Sequence, residues 1–352
     1  LWKSPDRIRD IQYRDDFVSQ RNLFLWAEEV FYFNTKWRLQ VGIRGDYFTF
    51  DMNDKLDGKA DTITSLPHAS SYAQKLIVNP KLNIVFSPTG STEFFVNVGS
   101  GFHSNDARDV IISQRVSEIE HDLERKGYSK FEIDSTLISR NFNPAAANVK
   151  TLPRAIGAEI GTKLNFGSNI ILGLSLWQLY MEEELVFVGD VGNTEVSGST
   201  QRLGIDLEAR IQLTKWLWAD FDLNLAKGVY IDEPVGNNFI PLAPNITSTG
   251  GLTVIHPMGF EGSLRYRYIG SRPANENNSV VALGYTLINA RLGYKFKHVT
   301  LFGNIENLAN AEWNEAQFDT ESKLKFDTES VSEINFTPGN PFNVKLGLIV
   351  RF

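Results

Sequence analysis

The segment His103-Ser104-Asn105-Asp106 contains residue types that could serve as base, nucleophile and acid. A hydrolytic triad needs those side chains to converge on one point, whereas neighbouring residues of a strand point to opposite faces. Adjacent positions therefore do not form a triad, and polar residues at the rim of a strand are the favoured interpretation. No catalytic residue is predicted, and the protein is not expected to be an enzyme.

The histidines do not show the spacing of metal ligands; they are His68, His103, His121, His256 and His298. The sequence has no cysteine, which excludes disulfides, thiolate zinc sites and cysteine nucleophiles. We therefore predict no metal site and no cofactor. The net charge of −7, without a basic tract, argues against a nucleic-acid partner, because a phosphate backbone demands a concentrated cationic face.

The elements that would position any site are amphipathic strands. Residues 202–213 carry apolar side chains at every second position and charged or polar side chains between them, which is the period of a strand. The same pattern predicts thirteen strands, near 22–33, 36–50, 72–87, 92–103, 152–166, 169–188, 194–213, 216–228, 243–255, 258–270, 281–296, 298–308 and 341–352.

Tight turns and long polar segments alternate between these strands. The long connections lie near 52–70, 104–150, 190–198, 230–242, 271–280 and 309–340. A soluble sandwich and a membrane barrel both bury one face of such a sheet. Many of the strands exceed the average of about 5–6 residues and match the roughly 9–11 residues that cross a membrane. We therefore predict an all-β fold, a membrane antiparallel β-barrel with an apolar outer face and a polar lumen.

The last strand sharpens this prediction. Residues 341–352 place apolar side chains at alternate positions and end on Phe352. Such a segment resembles the terminal strand of bacterial outer-membrane proteins, in which the final Phe is the signal for insertion. We expect Leu346 and its alternating neighbours to face lipid, and Lys345 to face the lumen.

Three segments carry a more specific resemblance. Residues 101–108 read GFHSNDAR, residues 152–161 read LPRAIGAEIG, and residues 304–308 read NIENL, followed by WNEAQF at 313–318. They resemble, in the same order, the G-F-H-S-N-D-A-R element, the L-P-R-A-x-G-x-E-x-G strand, and the N-x-x-N-L and W-x-E-x-Q-F elements of TonB-dependent outer-membrane transporters. The resemblance implies a 22-stranded barrel that contains a plug.

With about thirteen strands and no plug, residues 1–352 are expected to be the carboxyl-terminal part of that barrel domain, so that the first and last strands remain open edges. The resemblance implies a location in the bacterial cell outer membrane. It also implies energised uptake of a scarce nutrient, most often a ferric siderophore or similar chelate. The implied partners are outer-membrane lipid, the protein's own plug domain, the TonB complex and a chelate ligand.

The resemblance places substrate between the long loops and the plug. The ligand-binding candidates are His103, Asp106, Arg108, Trp313 and Gln317, although each could instead tie the loop bases together. The charged residues predicted to face the lumen or plug are Asp206, Glu208, Asp220, Asp222, Arg265, Arg267, Glu306 and Arg351.

Within one long loop the period changes. Residues 109–126 space their apolar side chains by three and four, which predicts a short amphipathic helix in an extracellular loop. Such a helix either covers the ligand or packs on neighbouring loops. A passive diffusion channel and a soluble β-sandwich adhesin remain as alternative functions, and the sequence does not identify the cargo.

Overall fold

A computed structural model describes residues 2–3, 8–9, 15–56, 69–140, 142–144, 149–188, 193–323, 325–326 and 328–351. The predicted terminal Phe352 and His68 lie outside the described residues. So do parts of the loops predicted near 52–70, 104–150, 190–198 and 309–340.

Thirteen long strands form one sheet, as the sequence predicts. They are β1 (Asp16–Tyr32), β2 (Trp37–Asp54), β3 (Ser71–Thr89), β4 (Thr92–Phe102), β5 (Arg154–Phe166), β6 (Ile170–Met181), β7 (Thr200–Thr214), β8 (Leu217–Tyr230), β9 (Ile246–Ile255), β10 (Phe260–Ile269), β11 (Tyr285–Lys295), β12 (Val299–Glu306) and β13 (Asn343–Val350). Each strand pairs with its neighbours in sequence, and β1 and β13 stand at the two ends of the order. The prediction of two open edges is confirmed.

Three hairpins lie in the connections between these strands. They pair Glu184–Val188 with Asn193–Ser197, Arg272–Pro273 with Val281–Ala282, and Asn314–Ser322 with Val331–Pro338. The sequence predicts a single strand over 169–188, but β6 ends at Met181 and the remainder belongs to the first hairpin. Consecutive glutamates at 182–184 interrupt the apolar alternation at that point.

The sheet has one apolar face and one charged face. Leu207 lies opposite Leu223 across β7 and β8, and the next rung pairs Asp206 with Asn224 on the other face. Apolar side chains of this face are exposed, reaching 85% for Leu346. A sandwich would cover this face with a second layer, whereas a membrane protein leaves it to lipid.

The last strand follows the predicted orientation. Lys345 Nζ lies 2.6 Å from Glu306 Oε1, so these two residues share the charged face. The adjacent Leu346 points to the opposite face and is exposed. An ion pair in β12 and β13 is thus kept away from the apolar surface.

The chain divides into two compact units, one of residues 1–28, 42–80 and 100–155 and the other of residues 29–41, 81–99 and 156–352. The first unit has a core of closely packed apolar side chains in which Phe50 and Ile111 are fully buried. The members of this core are Phe48, Phe50, Met52, Ala69, Ala73, Ile77, Ala107, Val110, Ile111, Val116, Ile119, Ile133, Leu137, Phe142 and Leu152.

Two helices supply about half of that core. Helix α1 (Ala107–Arg125) covers the segment for which the period predicts a helix, and α2 (Lys130–Ser139) follows it. The Asp106 carboxylate caps α1 by accepting a hydrogen bond from Arg108 N at 2.8 Å. Ser129 and Glu132 form a reciprocal capping box at the start of α2. Within the described part of the chain, neither helix is long and apolar enough to cross a membrane.

Candidate functional site

The first three ligand candidates lie at the beginning of the loop after β4. His103 Nε2 and Asn105 Oδ1 are 3.0 Å apart, and His103 N donates to Pro153 O at 3.3 Å. Asp106 is the α1 cap. Arg108 is only 7% exposed and forms an ion pair with Asp16. The structure brings these residues together, with protein partners for each, and their role as ligand contacts stays a prediction.

Trp313 and Gln317 lie in the connection between β12 and β13, in the second unit. Gln317 is 3% exposed, and its amide makes two hydrogen bonds of 2.9 Å to the backbone of Leu283. One is donated by Gln317 Nε2 to Leu283 O, and the other is accepted by Gln317 Oε1 from Leu283 N. We call this pair of bonds the Gln317 clip. It joins the 307–342 loop to the 270–284 loop.

The indole of Trp313 is held on several sides. Its Nε1 donates to Asn340 O at 3.0 Å, and its ring centroid lies 4.9 Å from that of Tyr285. Gly339 lies directly beneath the ring, because a Cβ at this position would approach an indole carbon to 2.0 Å. The Gly339 backbone also donates to Trp313 O at 2.8 Å. These protein contacts therefore hold the ring in one position.

Arg267 approaches both of these aromatic rings. Its Cζ lies 5.3 Å from the Tyr285 centroid and 5.5 Å from the Trp313 centroid, within the range of a cation–π interaction. Arg272 begins the neighbouring hairpin, and its Nη1 is buried with no hydrogen-bond acceptor among the residues that the structure describes. Burial lowers the pKa of the Arg272 guanidinium from its usual value, and Tyr285 opposes that shift.

Most of the charged residues predicted to face the lumen have an oppositely charged or polar partner on the same face. Arg210 Nη2 lies 2.8 Å from Asp222 Oδ1 and 3.4 Å from Glu208 Oε1. Arg265 pairs with Asp220. Among the other predicted residues, Asp206 accepts a hydrogen bond from Asn224, Glu306 pairs with Lys345, and the Arg351 backbone N–H donates to His298 O.

These pairs lie on one face of the sheet and most of them join different strands, so opposite charges stabilise the wall. The described residues contain no group of three or more metal-ligating side chains.

Sequence patterns did not reveal the contributions of Arg272, Tyr285, Gly339 and Asn340. In the sequence, Tyr285 is an ordinary residue near the start of the strand predicted over 281–296. Its importance depends on two loops that fold against it from distant parts of the chain. A glycine followed by Asn340 at the end of the predicted 309–340 loop was the available signal for the Trp313 support, and it indicates a turn in any protein.

Comparisons with known proteins agree with this architecture. Residues 3–308 match the family described as TonB dependent receptor-like, beta-barrel. A curated relative, the metal-pseudopaline receptor CntO of Pseudomonas aeruginosa, is 21% identical over 334 residues, covering 91% of this chain and 39% of the relative. The chain thus spans about two fifths of the length of that relative.

Solved structures share the fold at low identity. The ferric citrate transporter FecA gives a TM-score of 0.69 at 15% identity, with 96% of this chain and 46% of that chain covered. The ferric yersiniabactin uptake receptor FyuA of Yersinia pestis gives 0.66 at 12% identity, with coverage of 96% and 46%. The copper transporter OprC gives 0.67 at 14% identity, with coverage of 95% and 50%.

The family match spans most of the chain, and the strand order, the two-faced sheet and the structural neighbours all agree with it. The soluble sandwich is thereby excluded, and the exposed apolar face lies against the lipid of the bacterial outer membrane. This chain belongs to the TonB-dependent receptor family and forms part of its β-barrel.

Proposed function

We propose that this chain is the carboxyl-terminal part of a receptor that takes up a metal chelate across the outer membrane, with energy delivered through TonB. The observation that carries the proposal is the pair of loops joined by the Gln317 clip, which hold the Trp313 ring beside Arg267 of β10 and Tyr285 of β11. Passive channels need no preorganised side chains of this kind. Family membership supports a plug domain and TonB as partners.

The names of related proteins support a metal chelate as the cargo. The curated relative is named for a metal-pseudopaline complex, and the structural neighbours include receptors for ferric citrate and ferric yersiniabactin and a copper transporter. We accordingly propose a ferric siderophore or a similar metal chelate. In this reading the charged strand face lines the lumen and contacts the plug.

Growth and uptake measurements test the proposal. A strain that lacks the full-length protein is compared with its parent under starvation for iron, copper or zinc, and uptake is measured with radiolabelled metal supplied as a panel of chelates. We expect the deletion to abolish uptake of one chelate, and loss of TonB to have the same effect. Uptake that persists without TonB would instead support the passive diffusion channel.

A further inference from the structure

Two arginines beside Tyr285 lack the carboxylate partner that four other cations on the charged face of the second unit have. Arg210, Arg265, Arg291 and Lys345 each pair with a carboxylate from another strand of the same face. Arg267 and Arg272 have no carboxylate within ion-pair distance among the residues that the structure describes. This corner of the second unit therefore holds two uncompensated positive charges.

An unpaired guanidinium is unfavourable when it is partly buried. Moving an ion out of water costs free energy that only a partner can offset, and Arg272 has already lost part of its hydration. Such a group is stabilised by an incoming anion more than a fully solvated arginine would be, because less water has to be displaced.

Two aromatic rings lie within cation–π distance of one of these cations, Arg267. A guanidinium that stacks on a ring through its flat face keeps the N–H groups at its edge free, and these form a fork that fits both oxygens of a carboxylate. Trp313 holds its position through Asn340, Gly339 and Tyr285. The stacking surface for Arg267 is consequently present in the empty protein.

We propose that Arg267, Arg272, Tyr285 and Trp313 form a binding site for a carboxylate group of an anionic metal chelate. The site deepens the proposed function, on which it rests, by naming the chemical class of the cargo. Two guanidiniums supply charge and directed hydrogen bonds, while the rings contact the carbon skeleton of the chelator. A neutral chelate of the same size would leave both cations without an acceptor.

Binding to the purified full-length protein in detergent tests the site. The probes are radiolabelled citrate and ferric citrate, and the uncharged trimethyl ester of citrate serves as the matched neutral compound. We expect saturable binding of the two anions and none of the ester. Arg267→Gln and Arg272→Gln should each weaken binding by about 10-fold or more, since each removes a charge-assisted hydrogen bond.

The control is Arg265→Gln. Arg265 lies two residues from Arg267 on the same face, but it forms an ion pair with Asp220. The control variant should bind citrate as the parent does. Heat-modifiable migration verifies that all three variants fold. Equal binding by the parent and the Arg267 and Arg272 variants would overturn the proposal, as would failure of citrate and ferric citrate to bind the parent. The latter result, combined with reduced stability of Arg267→Gln, would show that an acidic segment of the protein itself occupies the site.

Failure of the proposed function gives a different result. A protein that binds citrate through Arg267 but supports no metal uptake in cells would retract the transport role and leave the site in place. If a variant with both Arg267 and Arg272 replaced still imports a metal chelate, the proposed function stands and the proposed site is refuted.

Discussion

Substituting neighbouring residues of β8 tests which face of the sheet meets lipid. Leu223 lies opposite Leu207 on the apolar face, and Asn224 on the other face donates a hydrogen bond to Asp206. Leu223→Arg places a cation in the hydrocarbon region, at a cost of about 2–4 kcal/mol near the midplane. That penalty lowers the folding equilibrium constant by roughly 30- to 900-fold. Asn224→Arg adds the same charge one residue away, beside a carboxylate.

The assay is refolding of the full-length variants into lipid bilayers across a denaturant series, with heat-modifiable migration as the readout. We expect Leu223→Arg to lower the free energy of unfolding by about 2–4 kcal/mol. Asn224→Arg should keep it within about 0.5 kcal/mol of the parent value. The two substitutions match in charge, size and strand. If Leu223→Arg folded normally while Asn224→Arg failed, the sheet would be inside out and the orientation argument would be refuted.

Three further perturbations follow from the loops and the first unit. Gly339→Ala should expel the Trp313 ring, because the new Cβ would lie 2.0 Å from an indole carbon; near-ultraviolet circular dichroism should change. Acidification should loosen α2, because the Ser129 backbone N–H holds the pKa of Glu132 below its usual 4.5. The capping box is therefore fully stabilising above pH 4.5 and is lost as the pH falls through that lowered pKa, which amide exchange of α2 would measure. Arg108→Met should destabilise the first unit by about 3–5 kcal/mol in denaturant unfolding, because the half-buried Asp16 carboxylate loses its counter-ion.

Matched variants accompany these predictions. Gly270→Ala should leave the spectrum unchanged, because its added Cβ would meet its nearest neighbour at an ordinary 3.5 Å. Glu132→Gln should remove the acid sensitivity of α2, and sensitivity that persists would assign it to another carboxylate. Combining Arg108→Met with Asp16→Leu should recover most of the lost stability; no recovery would show that Arg108 acts through packing.

The strands were predictable because a sheet with one face in lipid and one in a polar lumen repeats a simple local rule. Each of the thirteen follows from alternation that is visible within ten to twenty residues. The first helix followed from its spacing of apolar residues. The second was missed, although Ser129 and Glu132 stand at capping-box spacing, because the loop was interpreted as polar and irregular.

The site was less predictable because it depends on contacts between distant segments. Trp313 was selected through a resemblance, but its partner Tyr285 lies in another strand. Arg267 was predicted as one of many lumen charges. In the structure Arg265 forms an ion pair with Asp220, whereas Arg267, two residues away on the same face, has no carboxylate partner among the described residues. Sequence alternation contains no information about which carboxylate reaches which cation.

The Gln317 clip has a kinetic consequence. A hydrogen bond of 2.9 Å from Asn275 Nδ2 to Asp319 Oδ2 also joins the two loops, and beside it the Gln317 amide imitates one rung of an antiparallel ladder, so the loops cannot swing outward independently. The two hydrogen bonds of the Gln317 clip together contribute about 1–3 kcal/mol to the stability of the joined loops. If both must break before the loops separate, opening slows by about 5- to 160-fold. Gln317 thus slows the separation of these loops together with the hydrogen bond between Asn275 and Asp319.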